Sequence, residues 1–127
     1  MSVDTHTFGV HVRFVLSRKF IAKLHVLFDS STFEELVEYL TLHPLNGSVI
    51  RGLNGVRKMR FADKLHGIGK QGGLRIIYSY EPSRRLVIIY IAYRKRDQSD
   101  LLPHQRDYIQ SFSHIDIAES FQWHSAQ

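Results

Sequence analysis

The chain has 127 residues, 43% hydrophobic and 23% charged, the balance of one folded domain with a single core rather than of a disordered polypeptide. It has no cysteine, which excludes a disulfide framework, thiol chemistry and a cysteine-based zinc site. Seventeen Lys and Arg against twelve Asp and Glu give a formal charge of +5, and no apolar run approaches the roughly 20 residues that span a bilayer.

The N-terminal stretch MSVDTHTFGVHVRF carries Asp4 and lacks the basic start and unbroken apolar run of a signal peptide, so a cytoplasmic protein is expected. Phe8, Val10, Val12, Phe14 and Leu16 alternate with smaller or polar residues and predict a strand. Residues 18–28 switch to helical spacing, with Phe20, Leu24, Leu27 and Phe28 on one stripe. Ser31 and Glu34 have the spacing of a capping box and predict the start of a second helix, which presents Phe33, Leu36, Val37 and Leu40 and ends at Pro44 and Asn46-Gly47. A turn-rich link (Gly52, Asn54-Gly55) leads to three predicted strands at 56–62, 74–80 and 86–94. Glu81-Pro82-Ser83-Arg84 makes the last two a hairpin. A third helix is predicted over about 102–112, with Asp100 as N-cap and Pro103 in the first turn. From about Ile115 the chain either extends that helix or frays. The predicted class is α+β, a twisted antiparallel sheet of about four strands with two N-terminal helices and a C-terminal helix. One domain spans 1–127, with its core at about 8–112 and an extension or tail at 113–127.

The positive charge is clustered. Arg51, Arg57, Lys58, Arg60, Lys64, Lys70 and Arg75 are interrupted by one acid, Asp63, and Arg94-Lys95-Arg96 follow. Such density fits a polyanion, above all nucleic acid; an acidic protein partner or a merely solvated basic face are the other readings. Residues 63–73 connect two predicted antiparallel strands, a connection longer than the two to five residues usual in a hairpin. Its GIGKQGG core is no Walker loop, since neither Ser nor Thr follows Lys70 and no helix follows the loop. Nor is it a dinucleotide fingerprint, because a strand and not a helix N-terminus comes next. What is left is a flexible basic loop over a sheet. Strand alternation puts Lys58 and Arg60 on one face, and Arg75, Lys95 and Arg96 flank the other strands, which predicts a concave cationic surface at one end of the sheet.

In combination, the motifs of GLNGVRKMRFADKLHGIGKQGGLRIIYSYEPSRRLVIIYIAYRKRDQSDL (52–101) resemble the RelE/HigB family, ribosome-dependent mRNA interferase toxins of bacterial type II toxin–antitoxin systems. The similarity is carried by Gly55-Val56-Arg57-Lys58 with Arg60, by Gly67-Ile68-Gly69-Lys70-Gln71-Gly72-Gly73 with Arg75 and Ile77-Tyr78, and by Tyr93-Arg94-Lys95. His43 to Ile50 echo the family's link after the second helix, and the likeness extends over roughly residues 14–112.

The resemblance implies a RelE-like fold, cleavage of mRNA in the A site of the 70S ribosome, and a cognate antitoxin, a small helix-turn-helix protein, as partner. It implies Arg75 as phosphate clamp, Lys70 as loop lysine, and Arg60 and Lys95 with them as catalytic residues. Arg57, Lys58, His66, Arg94 and Arg96 are the implied RNA-binding set. Cleavage through the RNA's own 2′-hydroxyl needs charge stabilisation on the phosphate, a base and an acid; neither a metal ion nor any other cofactor is expected. The chain departs from the family at Ile68 and Gln71, where relatives carry basic residues, and at Leu101-Leu102, where some relatives place a catalytic tyrosine. Tyr78, Tyr93 or His66 could replace it, although a core or stacking role suits both tyrosines better.

The eight histidines show no i, i+4 pair on a helix and no carboxylate cluster at ligand spacing, so no metal site is expected. Trp123 reads as a packed residue or an antitoxin contact. Two alternatives to an endoribonuclease remain, a ParE-like toxin that poisons gyrase by binding it and a catalytically weak RNA-binding relative.

Overall fold

A computed structural model describes residues 10–125. Phe8 of the first predicted strand lies outside them. The architecture is α+β, with β1 at Val10–Ser17, α1 at Arg18–Leu27, α2 at Ser30–Leu42, β2 at Ser48–Val49, β3 at Arg57–Phe61, β4 at Leu74–Glu81, β5 at Leu86–Arg94, α3 at Pro103–Gln110 and β6 at Ile117–Ser125. All strands join one sheet in the order β2-β3-β4-β5-β1-β6.

That sheet corrects two expectations. It has six strands, not about four, and it is mixed, because β1 runs parallel to β5 while its other neighbour, β6, is antiparallel. The segment beyond Ile115 neither extends the third helix nor frays. Ile117, Phe121 and Trp123 alternate with Ala118, Ser120, Gln122 and His124, and Phe121 stacks on Phe14 with centroids 5.4 Å apart.

Local capping explains the helix limits. Ser17 ends β1 and begins α1 at once, since its hydroxyl accepts from the Phe20 amide (3.0 Å) and donates to the Tyr90 carbonyl of β5 (2.6 Å). The capping box of α2 lies two residues before the predicted one. The Asp29 carboxylate accepts from the Thr32 amide (2.8 Å), and the Thr32 hydroxyl accepts from the Asp29 amide (2.9 Å). Ser31 is therefore already inside the first turn. Asp100 does not cap α3 either. It accepts from the Leu101 amide (2.8 Å), while Gln105 Oε1 receives the Leu102 amide (2.9 Å) at the helix start.

Two cores flank the sheet. One face carries Val12, Phe14, Leu16, Met59, Phe61, Leu74, Ile76 and Ile89 against Phe20, Leu36 and Leu40 of α1 and α2. The other holds a smaller cluster, Ile77, Tyr90, Ile91 and Tyr93 with Leu101 and Ile109 under α3. A bulge makes the second cluster possible: Ile77 pairs with Ile91 and Tyr78 with Ile89, so Tyr90 is the extra residue.

Candidate nucleic-acid interface

In β3, Met59 and Phe61 enter the first core, which turns Lys58 and Arg60 to the opposite face. Register then builds a row across three strands, with Arg60 opposite Arg75 and Arg75 opposite Tyr93. Lys95 follows β5 directly, and its amide donates to the Gly73 carbonyl at 2.8 Å. The result is an open cleft of about 510 Å³ lined by Asn46, Ser48, Lys58, Arg60, Lys70, Arg75, Lys95 and Ser99. Lys70, Arg75, Arg60 and Lys95 converge there, joined by Lys58.

The other four candidates lie elsewhere. Arg57 donates to the Leu45 (3.1 Å) and Gly47 (2.7 Å) carbonyls and pins the link after α2. Arg94 points to the α1 side, where it donates to the Val26 carbonyl (2.9 Å) and lies 3.4 Å from the buried Asp63 carboxylate. His66 Nδ1 lies 3.0 Å from the same carboxylate. Arg96 is exposed in the turn after β5 and does not line the cleft.

The glycine-rich segment is a built loop. Asp63 and Ile68 exchange backbone hydrogen bonds of 2.8 and 2.9 Å around a 3-10 turn at Lys64–His66, closed by Gly67 at φ 65°. Gly73 is buried, and a Cβ on it would sit 2.6 Å from the Phe61 oxygen, 2.7 Å from the Gly69 oxygen and 2.8 Å from the Asp63 nitrogen. Its missing side chain thus lets the loop approach the chain's own backbone. Arg75, only 5% exposed, completes the loop, donating to the carbonyls of Gln71 (2.8 Å), Lys70 (3.2 Å) and Leu74 (3.2 Å). One guanidinium therefore forms part of the cleft wall and fixes the peptide that carries Lys70.

Burial pushes the Arg75 pKa down from its ordinary value, and the neighbouring Arg60 charge adds to this. Burial also pushes the Tyr93 phenol up to about 12, helped by Asp100 and opposed by Arg75. The Tyr93 hydroxyl is buried and has no hydrogen-bond partner. Tyr78 is committed to structure, accepting from the Gly47 amide (2.9 Å) and donating to the Pro44 carbonyl (2.8 Å). Asp100 lies 3.4 Å from Lys58 and is held below the usual carboxylate range, first by the Leu101 amide and more weakly by Lys58. Sequence reasoning missed Asn46, Ser48 and Ser99 as cleft residues, and Asp100 as the counter-ion. Asn46-Gly47 carries a turn signal that reads as a helix stop, and no pattern links Ser48 or Ser99 to the cations.

No protein-family model matches the chain.

Proposed function

We propose that this chain is a toxin of the RelE/HigB kind, with a RelE-like fold, that cuts mRNA in the ribosomal A site and is held in check by a cognate antitoxin. The observation that carries the reading is the convergence of Lys58, Arg60, Lys70, Arg75 and Lys95 on one open cleft. Arg60 and the donors of Arg75 not used by the loop supply planar grips for phosphate oxygens. Lys70, beside these cations, takes the proton from the 2′-hydroxyl, whose oxygen then attacks the adjacent phosphorus. The bond to the 5′-oxygen breaks, leaving a 2′,3′-cyclic phosphate and a 5′-hydroxyl that receives its proton from Lys95 or from water.

One observation favours a second reading, RNA binding without cleavage, because Arg75 spends three hydrogen bonds on its own loop. Single-turnover cleavage on programmed 70S ribosomes separates the two. Wild type should cut, and Arg60→Ala should slow cutting by about 10²–10³-fold, as loss of one transition-state donor does. Ribosome binding should weaken far less, since the remaining cations share the phosphate contacts. A 2′-deoxy nucleotide at the scissile position should abolish the reaction. Binding without any cutting would leave the RNA-binding reading, and growth inhibition without ribosome-bound cleavage would leave a poisoned protein target.

A further inference from the structure

We infer that His11 and His124 form a two-imidazole site for a divalent transition metal ion, copper(II) or zinc, which clips the last strand to the first. The site is independent of the cationic cleft and of the function proposed for it.

The two residues are direct partners in the antiparallel β1–β6 pair. Alternation settles their side: Val12 and Phe14 of β1, and Phe121 and Trp123 of β6, all pack against the first core, so the imidazoles share the opposite face. Both are exposed, and their ring centroids lie 4.0 Å apart at an interplanar angle of 44°. A zinc–imidazole bond of about 2.0–2.1 Å on each side requires two ring nitrogens about 3.3 Å apart in tetrahedral geometry. In-plane binding to one tetrahedral ion sets the two ring centroids about 5 Å apart, so from 4.0 Å the side chains must open by about 1 Å through both of their torsions.

No third His, Cys, Asp or Glu completes a cluster among the described residues. The site so described has two protein ligands, and the adjoining Arg13–Gln122 pair on the same face adds a cation that tempers affinity. Imidazole donors suit copper and zinc, with copper the tighter by the usual order of divalent ions. The site is invisible along the chain because its ligands stand at opposite ends of the described residues.

An ion at this point would act on a strand at the edge of the sheet. Among the described residues β6 has a strand neighbour, β1, on one side only. On the core-facing side its end is held through Glu38, which accepts from the Trp123 indole (2.8 Å) and the Ser125 hydroxyl. Metal on the other side would pin the same segment from both faces.

The test is calorimetric titration of the full chain, carrying no affinity tag, with zinc chloride and separately with copper(II) chloride, followed by thermal melts. One ion per chain is expected, with a melting temperature several degrees higher at saturating metal. His11→Ala and His124→Gln should each lose at least tenfold in affinity and the thermal gain, while their metal-free melting stays at the wild-type value. His114→Ala, at an exposed position away from the pair, should bind as wild type does. Equal binding by wild type and the double variant His11→Ala/His124→Ala would overturn the site. A stoichiometry of half an ion per chain with dimer formation would overturn the clip within one chain.

Discussion

Replacing Gly73 by alanine places one methyl group where the structure has no room. The nearest atoms would be 2.6, 2.7 and 2.8 Å away, and all three belong to backbone, of Phe61, Gly69 and Asp63. Ordinary contact for an added Cβ begins at about 3.4 Å, so these oxygen and nitrogen atoms would have to retreat by roughly 0.6–0.8 Å. Phe61 is tied into β3, so the loop is what must lift, straining the Asp63–Ile68 exchange and the Lys95 bond to Gly73. Overpacking of this kind costs about 1–3 kcal/mol, while restricting the unfolded chain returns about 0.4–1 kcal/mol, for a net loss near 1.5 kcal/mol. For a chain of this size the melting temperature should drop by about 4–8 °C. In urea the midpoint should fall by about 0.5–1 M with an unchanged slope. Gly69→Ala is the matched control, since nothing lies within 4 Å of its Cβ position. A Gly73→Ala protein as stable as the Gly69→Ala protein would refute the close-approach argument.

Asp100→Asn should free Lys58 and tighten RNA binding about two- to fivefold, the range of an exposed ion pair; unchanged affinity in a filter-binding assay would show that the pair does not compete with phosphate. Tyr93→Phe removes a buried hydroxyl without a partner, so stability in urea should hold or rise by up to about 1 kcal/mol, and a loss of cleavage alone would place that hydroxyl in the chemistry. Glu38 is held below the usual carboxylate range by the Ser125 hydroxyl first and the Trp123 indole next. Its contribution is therefore present above the unfolded carboxylate pKa and lost as pH falls through the folded value. Glu38→Gln should flatten the acid limb of a stability–pH curve, and an identical limb would place the acid-sensitive contacts elsewhere.

Strands β3, β4 and β5 were legible because each keeps an apolar face along its length and ends in turn residues. β6 was not, since Glu119 interrupts its core-facing side and the alternate positions are Ala, Ser, Gln and His. The partner of β1 was beyond reach for a different reason. Period-two patterning says which face a residue takes, and says nothing about which strand will lie alongside. In the cleft, alternation predicted the union of Lys58 with Arg60, and the same rule separates Arg57 from Lys58 and Arg94 from Lys95. The charge runs obscured that separation. The double role of Arg75 depends on loop carbonyls turned toward its guanidinium, a feature that only the folded backbone displays.

The placement of β1 has a consequence for biosynthesis. The first strand of the sheet is bordered on both sides by strands made late, β5 and β6. Until those segments leave the exit tunnel, Val12, Phe14 and Leu16 have neither ladder partner, and the helices that follow have only part of a floor to pack on. Pairing at such sequence separation slows folding and keeps apolar surface open during synthesis.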